Sequence, residues 1–332
     1  MSEKEIVLNV AGLCTEFKTP FGKVKAIDGV DLYLRKGETL GIVGESGCGK
    51  SVTSLSVMGL LPNGVGKVTD GIIMFDNMNL AQVNEATMRK IRGNKIAMIF
   101  QEPMSSLNPI FKIGKQVEEV LIRHKHMKRK QAREETIRLF TEVGISRPEV
   151  VVDNYPHELS GGMLQRVMIA MGLACQPQVL IADEPTTALD VTIQAQILEL
   201  MMKLKQEHDT AIMLITHNLG VVAEVCDRVA VMYAGYVVEE APVTELFDHP
   251  LHPYTQGLMK CAPRLDEDRT VLDTIPGLVP SLHEMPAGCR FANRCPYCTE
   301  RCIQEKPVLR IVGEGHKCRC HLIGKDGEKL YE

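Results

Sequence analysis

Nowhere in the 332 residues does an apolar run approach the roughly 18 residues of a membrane-spanning helix, so a transmembrane span is not an organising feature. The opening stretch MSEKEIVLNV lacks the basic-then-apolar plan of a signal peptide, and the chain is expected in the cytosol unless a partner carries it to a membrane. A basic surplus is missing too. With 38 Lys and Arg against 42 Asp and Glu the net charge is −4, whereas proteins that grip nucleic acid through its phosphates carry a basic excess or stripe. No nucleic-acid partner is expected. Eleven cysteines are many, yet a reducing compartment argues against a disulfide framework for them. What remains is an ordinary globular composition, 45% hydrophobic, with length for about two domains.

Against that background Gly44, Glu45, Ser46, Gly47, Cys48, Gly49, Lys50 and Ser51 fit G-x-x-x-x-G-K-[ST], between an apolar strand over 39–43 and an apolar, uncharged helical stretch over 51–60. Gly44, Gly47 and Gly49 let the backbone curl its N–H groups toward phosphates, and the following helix N-terminus adds partial positive charge. Lys50 is placed to reach the β- and γ-phosphates and Ser51 to bind Mg2+. A second run, Val179 to Asp183 and Glu184, reads as an apolar strand delivering two carboxylates at its C-terminal edge. Asp183 is expected to hold Mg2+ through water, and Glu184 to polarise the attacking water as general base.

Residues 6–43 alternate apolar strands with Gly-centred turns, predicting a small β region, and further strands are expected over 72–75 and 96–100. Helical spacing takes over from Ile113 to about Gly144, with the Lys and Arg of 123–133 on a solvated face. Strands over 179–182, 211–216 and 228–233, with a helix over 191–206, imply a parallel sheet flanked by helices. After about Leu258 the chain turns rich in Pro and Cys, where Pro263, Pro276, Pro280 and Pro286 break any long element.

Leu159-Ser160-Gly161-Gly162-Met163, with Gln165 and Arg166, opens a helical run between the two phosphate-site motifs and resembles the signature sequence of ATP-binding cassette proteins. The resemblance covers residues 6 to about 258: Gln101 matches the glutamine loop, Ala188-Leu189-Asp190 the D-loop and His217 the switch histidine. It implies an α/β P-loop NTPase fold with a parallel-sheet core, an N-terminal antiparallel β region and a helical subdomain, plus a small Pro- and Cys-rich C-terminal domain. A nucleotide-binding domain is expected over 1–258, with its helical insertion at about 102–175, and the Cys-rich extension over 259–332. In this family two cassettes close head to tail around two ATP molecules. Ser160, Gly161 and Gly162 would then meet the γ-phosphate of the partner's nucleotide, His217 would touch the γ-phosphate, and Gln101 would touch Mg2+ and relay its presence to a transmembrane partner. Phe17 is expected to stack on adenine, with Phe21 close behind.

Finer runs, Phe100 to Pro109, Met163 at the end of the signature and His249 to Thr255, resemble the peptide and nickel importer subfamily, most nearly its D-type dipeptide or oligopeptide importer ATPases. That resemblance implies two transmembrane permease subunits, pairing with an F-type ATPase or with itself, an extracytoplasmic binding protein acting through the permeases, and a place on the cytoplasmic face of the inner membrane. A rival function is a soluble cassette ATPase clamping DNA or ribosomes, which the acidic balance and single cassette oppose.

Six cysteines crowd between Cys289 and Cys320. Cys295, Cys298, Cys318 and Cys320 resemble a zinc ribbon, whereas Cys289, Cys295, Cys302 and Cys320 have spacings that suit a 4Fe-4S cluster. Spacing alone leaves both open. The family pattern Gly-Cys-x5-Cys-Pro-x5-Cys, met at Gly288, Cys289, Cys295, Pro296 and Cys302, favours the cluster. Cys48 stands in the phosphate loop itself: a thiol near a helix N-terminus and Lys50 can be reactive, or it is simply a small residue that fits.

Overall fold

The structure is a computed structural model and describes residues 4–186, 190–261 and 274–331. Among the described residues twelve strands run in chain order: β1 (Ile6–Thr19), β2 (Gly22–Arg35), β3 (Thr39–Val43), β4 (Gly66–Phe75), β5 (Met78–Asn79), β6 (Ile96–Ile99), β7 (Val179–Asp183), β8 (Ala211–Ile215), β9 (Arg228–Tyr233), β10 (Tyr236–Pro242), β11 (Arg310–Gly313) and β12 (His316–Cys318). The chain falls into two compact units.

The first unit draws on Leu34–Glu38, Gln82–Ile215 and the start of the chain. Its strands β6, β7 and β8 are parallel, with Ile99 opposite Ala182 and Asp183 opposite Ile215. Every residue of β7 and β8 is buried, which explains their unbroken apolar sequence: a parallel strand is covered on both faces. The run from Ile113 is two helices, Ile113–Lys125 and Arg129–Glu142, separated at His126, whose φ of 55° ends the first. No glycine announces that break. Both helices pack on Gly161–Leu173. Val117 and Leu121 of the first, Leu139 and Phe140 of the second, and Leu164 and Val167 of Gly161–Leu173 are all buried. Lys130 and Arg133 stay on the solvated side in ion pairs with Glu134 and Glu118, as the charge pattern predicts.

The second unit holds Asn9–Tyr33, Thr39–Ala81 and the chain from Thr216 onward. One sheet has the order β2-β1-β4-β5, the expected antiparallel β region, built on two 14-residue strands. In the other, β3 pairs parallel with β9, placing Val43 opposite Val231. Beyond β9 the pairing turns antiparallel: β10 pairs antiparallel with β9, β12 with β10 and β11 with β12. The late strands of the Cys-rich tail therefore continue this sheet, with Cys318 opposite Glu239.

Candidate functional site

The phosphate loop leaves β3 at Val43 and enters the helix Lys50–Met58, whose N-cap is Gly49 at φ 106° with no side chain capping it. First-turn N–H groups are thereby directed at whatever anion the loop holds. Gly44 is irreplaceable on steric grounds, since at φ 149° a Cβ would strike the Met232 carbonyl oxygen. Lys50 is buried and its Nζ donates to the carbonyls of Gly44 at 2.7 Å and Glu45 at 3.1 Å, so the loop arches around the amine. Ser46 and Gly47 form the exposed crest, and Ser51 is exposed in the first helical turn. In β1, Phe17 is half-buried against Gly66 and lines an open pocket with Lys18, Lys23 and Lys67. Phe21 is 86% exposed at the next turn and meets His283 edge-on at 5.9 Å. His217 is exposed just ahead of Leu219–Val225, a helix capped by Asn218, which accepts from the Gly220 and Val221 amides.

In the first unit Asp183 closes β7 and is 5% exposed. Glu184 follows at φ 47°, a left-handed conformation unusual for a residue with a side chain. Its amide donates to the Ile215 carbonyl at 2.8 Å, and Gln101 Nε2 donates to its Oε2 at 3.1 Å. The general-base candidate and the glutamine-loop candidate are thus in contact. Ser160 caps the helix Gly161–Leu173, its Oγ accepting from the Met163 amide at 3.4 Å. Among the described residues nothing lies within 4 Å of where a Cβ on Gly161 would sit. Asp190 caps Val191–His208 by accepting from the Ile193 amide, and Ala188 and Leu189 lie outside the described residues.

The late cysteines divide by environment. Burial pushes the thiols of Cys289 and Cys295 up to about 11 and that of Cys320 up to about 12, the last raised further by neighbouring Cys289, Cys295 and Cys302. Backbone amides two residues ahead favour the charged sulfur in each: Phe291 for Cys289, Tyr297 for Cys295, and Leu322 for Cys320 at 3.4 Å. Gly288 packs so closely on Cys302 that a Cβ would strike its carbonyl oxygen, and the Cys289 amide donates to that same oxygen at 2.7 Å. Cys298 is exposed, its Sγ 3.6 Å from the Thr299 carbonyl, while Cys318 is fully buried with Leu251, Val312 and Ile323. One zinc at about 2.3 Å from each sulfur would draw its four ligands within about 4 Å of one another. Among the described residues the one such compact set of three or more is Glu142, Glu207 and His208, without a cysteine. The set Cys289, Cys295, Cys302 and Cys320 has the donor chemistry of a cubane cluster, whose irons would stabilise the thiolates that burial alone disfavours.

A family profile described as ABC transporter matches residues 27–187, and one described as oligopeptide/dipeptide transporter, C-terminal region, matches 238–302. The chain is 53% identical to the oligopeptide transport ATP-binding protein AppD of Bacillus subtilis, over 97% of this chain and 98% of that one. This chain is an ATP-binding cassette protein. The cassette is also 52% identical to the dipeptide transport ATP-binding protein DppD of the same organism, over 98% and 97% of the two chains. Among solved structures, a dimeric cassette, MJ0796, bound to ADP and Pi superposes with a TM-score of 0.63 at 28% identity, over 71% of this chain and 98% of the other. The α/β cassette fold and ATPase activity follow from membership. No described helix is long and apolar enough to cross a membrane.

Two features of the cassette's site escape sequence reasoning. The His249 to Thr255 run reads as a family mark, yet its physical task is to place Tyr254, whose Oη accepts the Glu45 amide of the phosphate loop at 2.8 Å. Arg294, likewise unmarked, forks the Glu45 carboxylate at 2.6 and 3.0 Å. Cys48 is fully buried, and desolvation raises its thiol despite nearby Lys50, which speaks for the small-residue reading over the reactive thiol.

The same run carries a pH dependence. His252 is buried and its Nδ1 accepts the Tyr254 amide at 3.0 Å, which requires the neutral ring. Burial drives its pKa down to about 4, against the partial opposition of Glu239 and with the help of Arg319. Below pH 6.5 the unfolded chain takes up a proton that the folded chain refuses, so stability drops as pH falls from about 6.5 to about 4, by about 3 kcal/mol in total. Urea midpoints measured across that window should fall more steeply for the parent than for H252N, whose amide oxygen keeps the acceptor without titrating; parallel curves would refute the assignment.

Proposed function

We propose that this cassette hydrolyses ATP to power uptake of oligopeptides or dipeptides across the cytoplasmic membrane. The observation that carries the reading is the match of residues 238–302 to the oligopeptide/dipeptide transporter C-terminal region, alongside full-length relatives named for those two cargoes. In this reading Lys50 and Ser51 serve the phosphates and Mg2+, Asp183 and Gln101 complete the Mg2+ shell, Glu184 activates water and His217 meets the γ-phosphate. Phe17 stacks on adenine, and Ser160, Gly161 and Gly162 serve the nucleotide of a second cassette, an F-type paralogue or a second copy. Two permeases, which an extracytoplasmic binding protein feeds, hold the chain on the inner face of the membrane. Exposed Met104, Ile110 and Phe111, on the segment after Gln101, suit an apolar partner surface of that kind. The acidic balance and the transport names of the relatives speak against a clamp on DNA or ribosomes.

Cys289, Cys295, Cys302 and Cys320 would hold a 4Fe-4S cluster that cross-links the stretch after β12 to the segment 289–302 ahead of β11, a structural clip. Two measurements test the proposal. Deleting the gene should abolish growth on peptides as sole source of a required amino acid and spare growth on the free amino acid; undiminished growth on every peptide would remove the transport reading. Anaerobically purified chain should contain about four irons and four acid-labile sulfides. One zinc without sulfide would overturn the cluster.

A further inference from the structure

Arg294 lies immediately before Cys295, in the short turn Ala292–Arg294 that follows Cys289. The turn is tied to both cysteines, since the Ala292 amide donates to the Cys289 carbonyl at 3.0 Å and the Cys295 amide to the Ala292 carbonyl at 3.3 Å. From it the Arg294 side chain, 4% exposed, reaches the phosphate loop. Its Nη1 and Nη2 each donate to a different oxygen of Glu45, Nη1 also to Tyr233 Oη at 3.4 Å, Nη2 to the Ile275 carbonyl at 3.1 Å and Nε to the Pro276 carbonyl at 2.9 Å. The guanidinium donors are committed to one geometry, and Glu45 further holds its place through its amide on Tyr254. The carboxylate of Glu45 is 28% exposed and belongs to the loop that must receive a polyanion. Arg294 both neutralises it and draws it back, and in so shielded a setting a bidentate charged pair is strong and weakly screened by salt.

We propose that Arg294 is a positioning residue of the phosphate loop, and that the cysteine-bearing turn carrying it sets the loop's affinity for nucleotide. The second half rests on the cluster reading above: the cluster would fix Cys289 and Cys295 on either side of the turn, so its loss would loosen the hold on Glu45. Lysine cannot replace the fork, because an ammonium is a point charge and cannot bridge both carboxylate oxygens and two carbonyls.

The test is the dissociation constant of MgADP, measured by calorimetry on the full chain purified anaerobically, with thermal midpoints recorded in parallel. R294A should bind about tenfold more weakly, because a charged hydrogen-bonded pair is broken beside the phosphates. R294A/E45Q should return to within about threefold of the parent, since the stranded charge is then gone and the two sites couple. A merely structural role would lower the midpoint of both variants alike and give no recovery. R294A binding as tightly as the parent overturns the proposal; if R294A does not accumulate folded, R294K carries the same comparison, with equal affinity again overturning it. Stripping the metal with ferricyanide and EDTA should weaken MgADP binding in the parent and add nothing in R294A. Should no iron be present at the outset, the cluster reading fails, while the R294A and R294A/E45Q results still decide the role of Arg294.

Discussion

Replacing Glu184 by Gln is expected to slow ATP hydrolysis by about 10^2 to 10^4, the span a positioned general base contributes, while leaving ATP binding within a factor of about three. The substitution is nearly isosteric and keeps the local geometry. The amide oxygen of Gln can still accept the Gln101 Nε2 hydrogen now 3.1 Å from Glu184 Oε2, and the backbone bond to Ile215 is untouched. What is lost is basicity, because an amide takes up no proton at neutral pH. Q101A should cost less, since it removes a proposed Mg2+ contact and a partner of the base but leaves the base itself. The φ of 47° at Glu184 matters here: a residue held in that region costs of order 1 kcal/mol, and strain of this kind is retained where it aims a functional group. Steady-state hydrolysis and nucleotide affinity, measured on the same preparation, separate the cases. E184Q turning over at the parent rate would remove Glu184 from the role of base.

The parts of this site that were legible in sequence are those whose chemistry is local. A phosphate loop is a run of contiguous amides, and its glycines, lysine and serine must be neighbours in the chain to be neighbours in space. The same holds for the apolar strand ending in Asp183 and Glu184 and for the Ser160 cap. Contacts made across the fold left no such trace: Tyr254 meets Glu45 over 209 residues and Arg294 over 249. Strand β10 was hidden for a related reason. Its centre is Glu239-Glu240 and its end Pro242, a composition that reads as a turn, yet both glutamates are fully buried. Partners from elsewhere make that possible, Arg228 at 3.0 Å and Lys317 at 3.3 Å for Glu240. At Cys48 the local argument, from Lys50 and a helix start, points toward a reactive thiol, while burial pushes the thiol the other way.

Glu239→Ala is expected to be the most damaging single change outside the nucleotide site, costing about 3 to 5 kcal/mol of folding stability, as when one partner is cut from a buried ionic group. The carboxylate is fully buried and accepts three hydrogen bonds, from the Leu251 amide at 2.7 Å, the His252 amide at 2.9 Å and His316 Nε2 at 2.8 Å. Alanine would strand all three groups away from water, and buried unpaired donors are costly one by one. E239Q retains an acceptor oxygen and should lose about 1 to 2 kcal/mol less than E239A. The effect should also reach the nucleotide. Glu239 fixes the turn at Leu251 and His252, that turn starts the helix Pro253–Cys261, and Tyr254 in its first turn holds the Glu45 amide. Folded E239Q should therefore bind MgADP more weakly than the parent even where denaturant unfolding leaves it stable. A loss below about 1 kcal/mol in E239A would mean that the His249 to Thr255 run is held by its own packing, with the Tyr233, Tyr254 and Phe291 rings, 4.6 to 5.5 Å apart between centroids, carrying the load in place of the buried carboxylate.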